Sequence, residues 1–308
     1  MNKTLISVVG PTAIGKTKLA ISLAVYFNTE IISADSRQFY KEMSIGTAVP
    51  DASELNTVPH HFIQHTSIFD SYSVGDFEKD VIDLLERLFK KHDTVIMVGG
   101  SGLYVDAVTK GLDEFPKIDP KIRAKLNEEF MKEGIVSLQR RLKVLDKDYY
   151  SNMDIDNPHR LIRALEVCIG SGRPYSSFLN KKKDPRPFNT VSIGIMAERD
   201  IIYERINRRV DIMIKDGLLE EAKELSTYRD LNALQTVGYK ELFQYFDGNW
   251  EMDHAISEIK KNTRRFAKRQ LTWFKRNKKI IWVEYDDSLD KFIDELKQEI
   301  TKGTHGIE

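Results

Sequence analysis

Residues 8–20 read VVGPTAIGKTKLA. An apolar run leads into a glycine-rich turn, and the turn leads into a helical pattern. The turn fits G-x-x-x-x-G-K-[ST] at Gly10, Gly15, Lys16 and Thr17, with Pro11, Thr12, Ala13 and Ile14 between the glycines. Successive backbone N–H groups in such a turn, with the helix N-terminus behind them, can cradle phosphate oxygens. Lys16 adds a point charge, and Thr17 a hydroxyl suited to Mg2+. The flanks agree with this reading. TLISVV before the turn reads as a buried strand, and KTKLAISLAVYF after it as a helix. The motif alone suggests a nucleotide, and a diphosphate ester fits the same cradle.

Working outward, four more short apolar runs read as buried strands: EIISA (30–34), TVIMV (94–98), VSIGIM (191–196) and KIIWVEY (279–285). Helical patterns separate most of them. The expected fold class is therefore α/β, a P-loop-type parallel sheet core flanked by helices. The stretch between the third and fourth strands is too long for a simple crossover. It is highly charged and mostly helical in pattern, and it ends in the turn-rich, basic GRPYSSFLNKKKDPRPFN. It reads as a helical insertion domain at 113–190, with the catalytic core at 1–112 and 191–308.

Composition narrows the function classes. The chain has 308 residues, with Lys+Arg and Asp+Glu both 47, so average charge does not point to nucleic acid and its distribution must. The single cysteine, Cys168, excludes an intramolecular disulfide framework and a cysteine-rich zinc site. It lies in the apolar helical run LIRALEVCIG and reads as a buried structural thiol. No apolar stretch approaches a membrane span and no signal peptide is legible, so a cytoplasmic protein with no membrane partner is expected.

Two further constellations carry chemistry. The second strand ends in SADSRQFY, and Asp35 is expected at the carboxyl edge of a strand neighbouring the first, where open α/β sheets bind ligands. A carboxylate there serves as a general base or supports a metal's water shell; it serves equally as a helix N-cap. The third strand runs into GGSGLYVDAV, where Gly99, Gly100 and Gly102 let backbone pass close to a ligand and Ser101 offers a hydroxyl. Residues 260–279, KKNTRRFAKRQLTWFKRNKK, hold ten basic residues and no acid, with Phe266, Trp273 and Phe274 interleaved. Such density in a neutral protein favours a polyanion, against the alternatives of a solvated helix face with core aromatics. In DNPHRLIRALE, Arg160 and Arg163 lie one turn apart, as a second basic site or as ordinary surface ion pairs. The acidic strand end typical of ATP-driven motors is missing, which argues against an ATPase or helicase. A small-metabolite or nucleoside kinase is the main rival, and it leaves the basic run unexplained.

Together these segments resemble the tRNA dimethylallyltransferase (tRNA isopentenyltransferase) family. GPTAIGKT (10–17), DSRQFY (35–40), IGTAVP (45–50), VPHHF (58–62), GGSGLY (99–104), DNPHRLIRALEV (156–167), RDIIYERINRRVD (199–211), QTVGYKEL (235–242) and TRRFAKRQLTWFKR (263–276) occur in the family's order and span nearly the whole chain. DSRQ departs from the commoner DSMQ, and Ser101 stands where threonine is frequent. With one cysteine the chain resembles the shorter bacterial form, without a zinc finger.

The resemblance implies that the loop holds the diphosphate of dimethylallyl diphosphate. The prenyl group goes to N6 of the adenosine 3′ of the anticodon, in tRNAs reading codons that begin with U, and diphosphate leaves. Asp35 is then the base at N6. Lys16, the loop amides, Arg199 and a Mg2+ held partly by Thr17 neutralise the leaving group, and Ser101 contacts the target nucleotide or phosphates. Gln38 with Asp35 reads the flipped adenine. The tRNA anticodon stem-loop is expected to meet Asp35, Ser36, Arg37, Gln38 and Ser101 at the site. Beyond it, Arg123, Asp156, Asn157, Pro158, His159, Arg160, Arg163, Arg264, Arg265, Lys268 and Arg269 are expected to grip the RNA. A monomer needing no protein partner is expected.

Overall fold

The structure is a computed structural model that describes residues 3–181, 184–290, 292–294 and 296–297. The outer ends of the expected core, 1–2 and 298–308, lie outside the described residues. The chain divides into two compact units, Gly111–Pro185 and the remainder on either side of it.

The larger unit is built on a six-stranded sheet. Its first half contributes β1 (Thr4–Val9), α1 (Lys16–Tyr26), β2 (Ile31–Ser33), α2 (Ala52–Thr57), β3 (His60–His61), α3 (Val74–Leu88), β4 (Thr94–Val98) and α4 (Gly102–Lys110). The strands run in the order β3-β2-β4-β1, followed by two from the second half, and every pairing is parallel. β1 is central, with Ser7 opposite Met97 on one side and Ser192 on the other.

Alternation along the strands supplies both faces of the core. Ile6 and Val8 of β1 join Ile31, Ile96, Ile193 and Ile195 beneath Leu19, Leu23 and Ala24 of α1. Leu5 and Val9 join Ile32, Val95 and Met97 against Phe77, Val81, Leu85 of α3 and Val105, Val108 of α4. Both faces are covered, so these strands read as near-continuous apolar runs.

Two sequence expectations change here. β3 was not among the expected strands; its two residues, His60 and His61, are too few to show a period of two and are only half-buried at the sheet edge. β2 does not neighbour β1, because β4 lies between them. Strand order depends on non-local pairing, to which the apolar runs are blind.

The smaller unit contains α5 (Pro120–Glu133), α6 (Ile135–Leu145), α7 (Lys147–Asn152) and α8 (Pro158–Ser171). Leu126, Leu138, Leu142, Leu161, Leu165 and Cys168 form its own core. It lies within a few residues of the 113–190 expected from sequence. Arg186 belongs to the larger unit, donating from Nε to the Val108 carbonyl at 2.9 Å and from Nη2 to the Ala107 carbonyl at 2.6 Å.

The larger unit continues with β5 (Asn189–Met196), α9 (Arg199–Lys215), α10 (Leu218–Leu225), α11 (Tyr239–Phe246), α12 (Met252–Phe274) and β6 (Ile281–Glu284). Val210, Leu218, Leu225, Tyr239, Leu242 and Ile259 make a third apolar cluster with Tyr40 and Met43. These helices enclose the carboxyl edge of the sheet.

Candidate active site

The phosphate loop leaves β1 at Val9 and enters α1 at Lys16. Gly15 stands before the helix with φ +107°, in the left-handed region that glycine reaches without strain. No side chain caps α1 and no acid lies in its first turn, so its first N–H groups remain open to an anion. Ile14 is a core residue at 2% exposure. Thr12, Lys16 and Thr17 line a cavity of about 600 Å3.

Lys16 turns back over the loop, its Nζ 2.7 Å from the Pro11 carbonyl. Burial lowers its pKa to about 8; Asp35 opposes the shift and Arg209 adds to it. Arg209 approaches from α9 and donates from Nη1 to Thr12 Oγ1 at 3.3 Å. Burial also lowers the Arg209 pKa, against the pull of Asp35. The cavity thus gathers two poorly solvated cations around one carboxylate. An added anion relieves that imbalance.

Arg199 is not part of this group. It begins α9, is exposed, and lies over the Tyr203 ring at 5.0 Å. Arg209 is ten residues further along the helix, roughly 15 Å at 1.5 Å per residue. Arg205, one turn before it, donates from Nε to the Ala13 carbonyl at 2.8 Å. The signal was present in ERINRR: arginines at i and i+4 share a helix face.

Asp35 follows β2 and lines the same cavity. Its Oδ1 accepts the Arg37 N–H at 3.1 Å, a local turn and not a helix cap. Ser101 after β4 meets Ser36 twice, its Oγ being 3.1 Å from both the Ser36 nitrogen and the Ser36 hydroxyl. The exits of β2 and β4 are adjacent, so Asp35, Ser36 and Ser101 come together. Arg37 also lines the cavity, its guanidinium held by the Asn232 and Ala233 carbonyls. Gln38 lines the cavity and donates to the Thr47 and Ala48 carbonyls.

The far wall comes from α12. Ala267, Gln270 and Phe274 are buried, and basic residues fill the other faces. Gln270 bridges two loops: its Oε1 accepts the Thr12 N–H at 2.8 Å, and its Nε2 donates to the Gly100 carbonyl at 3.0 Å. Sequence reading passed over it, although an uncharged polar residue at a buried helical spacing within a basic run was the available clue. Trp273 is half-buried and its Nε1 donates to Asp106 at 2.9 Å, so it combines packing with a place on the cavity wall. Phe266 is exposed at the rim with the Arg269 guanidinium over its ring.

The run at 260–279 is less uniformly free than its composition suggests. Lys260 pairs with Asp211, Lys261 with Glu258, and Arg264 donates to Asn207. Arg265, Lys268 and Arg269 are exposed.

The profile of the IPP transferase family matches residues 38–277. A tRNA dimethylallyltransferase of Christiangramia forsetii is 60% identical over 300 residues, covering 97% of this chain and 99% of its own. One from Flavobacterium johnsoniae is 58% identical, covering 94% and 96%. This chain belongs to the tRNA dimethylallyltransferase family. Among solved structures, the tRNA isopentenylpyrophosphate transferase of Bacillus halodurans superposes with a TM-score of 0.71 at 38% identity, covering 97% of this chain and 96% of that one. A eukaryotic dimethylallyltransferase described as acting on tRNA gives 0.78 at 25% identity, covering 92% and 74%.

In the helical unit, the expected contact residues of this family member divide by role. Asn157 caps α8 by accepting the Arg160 N–H, with Pro158 in its first turn, and Asp156 accepts from Gln139. Arg123 and Arg163 both bind the buried Glu166 carboxylate, at 2.7 and 3.3 Å. His159 and Arg160 are exposed. No described helix is long and apolar enough to cross a membrane.

Proposed function

We propose that this enzyme transfers the dimethylallyl group of dimethylallyl diphosphate to N6 of the adenosine 3′ of the anticodon, in tRNAs reading codons that begin with U. One observation carries the reading. A single cavity joins Lys16 and Thr17 of the phosphate loop to Asp35, Gln38 and Ser101, and reaches Phe266, Arg269 and Trp273 on the basic helix α12.

The adenine amine is a weak nucleophile because its lone pair is delocalised into the ring. Asp35 accepts the N6 proton as nitrogen bonds to the prenyl C1 and the C1–O bond to diphosphate breaks. Lys16, Arg209 and the open N–H groups of α1 take up the charge that grows on the departing diphosphate. Ser101 and Ser36 hold the β2 and β4 exits together beside Asp35. The Thr17 hydroxyl has no hydrogen-bond partner among the described residues, and no cluster of three or more His, Cys, Asp or Glu among them is arranged for a metal. That suits a Mg2+ held by Thr17 together with the diphosphate itself, where it would add electrostatic stabilisation of the leaving group.

The target base is stacked in the anticodon loop and must be extruded to reach Asp35. In this reading Phe266, with Arg269 over its ring, offers a stacking surface at the rim, and Arg265 and Lys268 meet phosphates. His159 and Arg160 of the helical unit add a second basic contact with the anticodon stem-loop. Arg123 and Arg163 pair with Glu166 and keep enough exposed surface to meet the RNA as well. The enzyme works as a monomer in the cytoplasm. A nucleoside kinase uses the phosphate loop but leaves the basic face of α12 idle, and the named relatives disfavour it.

The test incubates the protein with radiolabelled dimethylallyl diphosphate, Mg2+ and unmodified tRNA, without ATP, beside Asp35→Ala. Label in RNA that falls by orders of magnitude in the variant supports the reading. No transfer by the folded wild-type protein overturns it.

A further inference from the structure

Two of the family-like segments, IGTAVP at 45–50 and QTVGYKEL at 235–242, line the same cavity but supply no reacting group above. They meet at one carboxylate. Glu221 of α10 accepts the N–H groups of Ser44 and Ile45 on Oε2 at 2.9 and 2.8 Å, and that of Gly46 on Oε1 at 2.9 Å. The Tyr239 hydroxyl donates to the same Oε1 at 2.6 Å. Charge-assisted bonds of this kind are the strong ones.

The loop folded around Glu221 has little freedom. A Cβ at Gly46 would lie 2.6 Å from the Tyr239 ring. Ala48 sits at φ +52°, a conformation that a non-glycine residue keeps only where its surroundings impose it. Immediately after the clamped N–H groups come two carbonyls that set Gln38. Its Nε2 donates to Thr47 at 3.3 Å and to Ala48 at 2.8 Å, while its Oε1 accepts from Ser33 Oγ at 3.2 Å. Both amide hydrogens are committed. What the carboxamide has left to offer is an oxygen lone pair.

We propose that Glu221 is a positioning residue for base selection. By gathering the 44–46 N–H groups it sets the Thr47 and Ala48 carbonyls that orient Gln38. The target pocket then presents an acceptor, which suits the amine of a 6-amino purine and opposes the carbonyl of a 6-oxo purine. The proposal rests on the prenyl-transfer reading.

Steady-state transfer to an anticodon stem-loop RNA, competed by the same RNA with inosine at the target position, tests it in the full-length protein. For Glu221→Gln, the RNA KM rises by roughly tenfold and the preference for adenosine over inosine narrows comparably, while the KM for dimethylallyl diphosphate stays within about twofold. A merely structural lesion raises both KM values and leaves the preference alone. Tyr239→Phe removes one donor of four and shifts the preference the same way by a smaller factor; it carries the test alone if Glu221→Gln does not fold. An unchanged preference in the folded variants, or a donor KM that rises in step, overturns the proposal. Wild-type protein that transfers prenyl groups yet binds both RNAs equally also overturns it. Wild-type protein that transfers none overturns the functional reading and this inference with it.

Discussion

Raising the pH from 7 to 9 weakens diphosphate binding and at the same time strengthens the empty fold, and both effects run through Lys16. Burial in the phosphate loop, with Arg209 close by, holds Lys16 at about 8, well below the ordinary lysine value of 10.5. Its protonated fraction falls from roughly nine-tenths at pH 7 to roughly one-tenth at pH 9. If only the cation engages diphosphate, affinity drops about tenfold, or ~1.4 kcal/mol. The stability effect has the opposite sign. Below pH 8 the folded and unfolded chains both hold the proton, and the fold carries the full cost of the buried cation. Between 8 and 10.5 the unfolded chain binds more protons than the folded one, so this group's contribution to stability rises with pH. Titration calorimetry of dimethylallyl diphosphate across pH 6.5–9 reads the first effect, and denaturant melts of the unliganded protein read the second. Calorimetry in buffers of different ionisation enthalpy should show proton uptake on binding near pH 9, because the bound diphosphate restores the Lys16 charge. Lys16→Met should bind weakly and without the fall above pH 8. Affinity that is flat from pH 7 to 9, or a fall that survives in Lys16→Met, refutes the reasoning.

Three further outcomes are expected. Asp35→Asn lowers kcat by roughly 10²- to 10⁴-fold with dimethylallyl diphosphate affinity nearly unchanged, checked by single-turnover transfer beside calorimetry. Gly102→Ala places a Cβ 2.3 Å from the Trp273 indole and strains its bond to Asp106, costing about 1–3 kcal/mol in a urea melt, whereas Gly134→Ala meets no atom within 4 Å and tests only backbone strain. Alanine at both Arg265 and Lys268 weakens RNA binding and flattens its salt dependence by roughly 0.7–0.9 per lost phosphate contact, while Arg163→Ala acts mainly on the helical unit's stability through the buried Glu166, separable by salt titration and melting.

Local signals carried much of this protein. The residue types and spacing in GPTAIGKT specify a strand, an anion-binding turn and a helix N-terminus without reference to the rest of the chain, and Thr4–Val9 and Lys16–Tyr26 form accordingly. Apolar runs buried on both faces announced a parallel sheet, and the charged stretch with its own helical periodicity announced a separate unit. Asp35, Ser101 and the basic helix were legible because strand ends and charge density are properties of short segments.

Tertiary structure decided what depends on distant partners. β4 separates β2 from β1 because strand order follows from long-range pairing, which no window of sequence contains. The arginine at the phosphate loop is Arg209 and not Arg199, since that choice depends on where a seventeen-residue helix crosses the loop. Composition counts Lys260 and Arg123 simply as positive charge, whereas in the fold they pair with Asp211 and Glu166. Gln270 and Glu221 acquire these partners only when segments 258 and 175 positions away, Thr12 and Gly46, are brought within hydrogen-bond distance. Periodicity and composition record what a residue is. The partner that satisfies each buried polar group is set by packing, and that is where the remaining residues of the site were found.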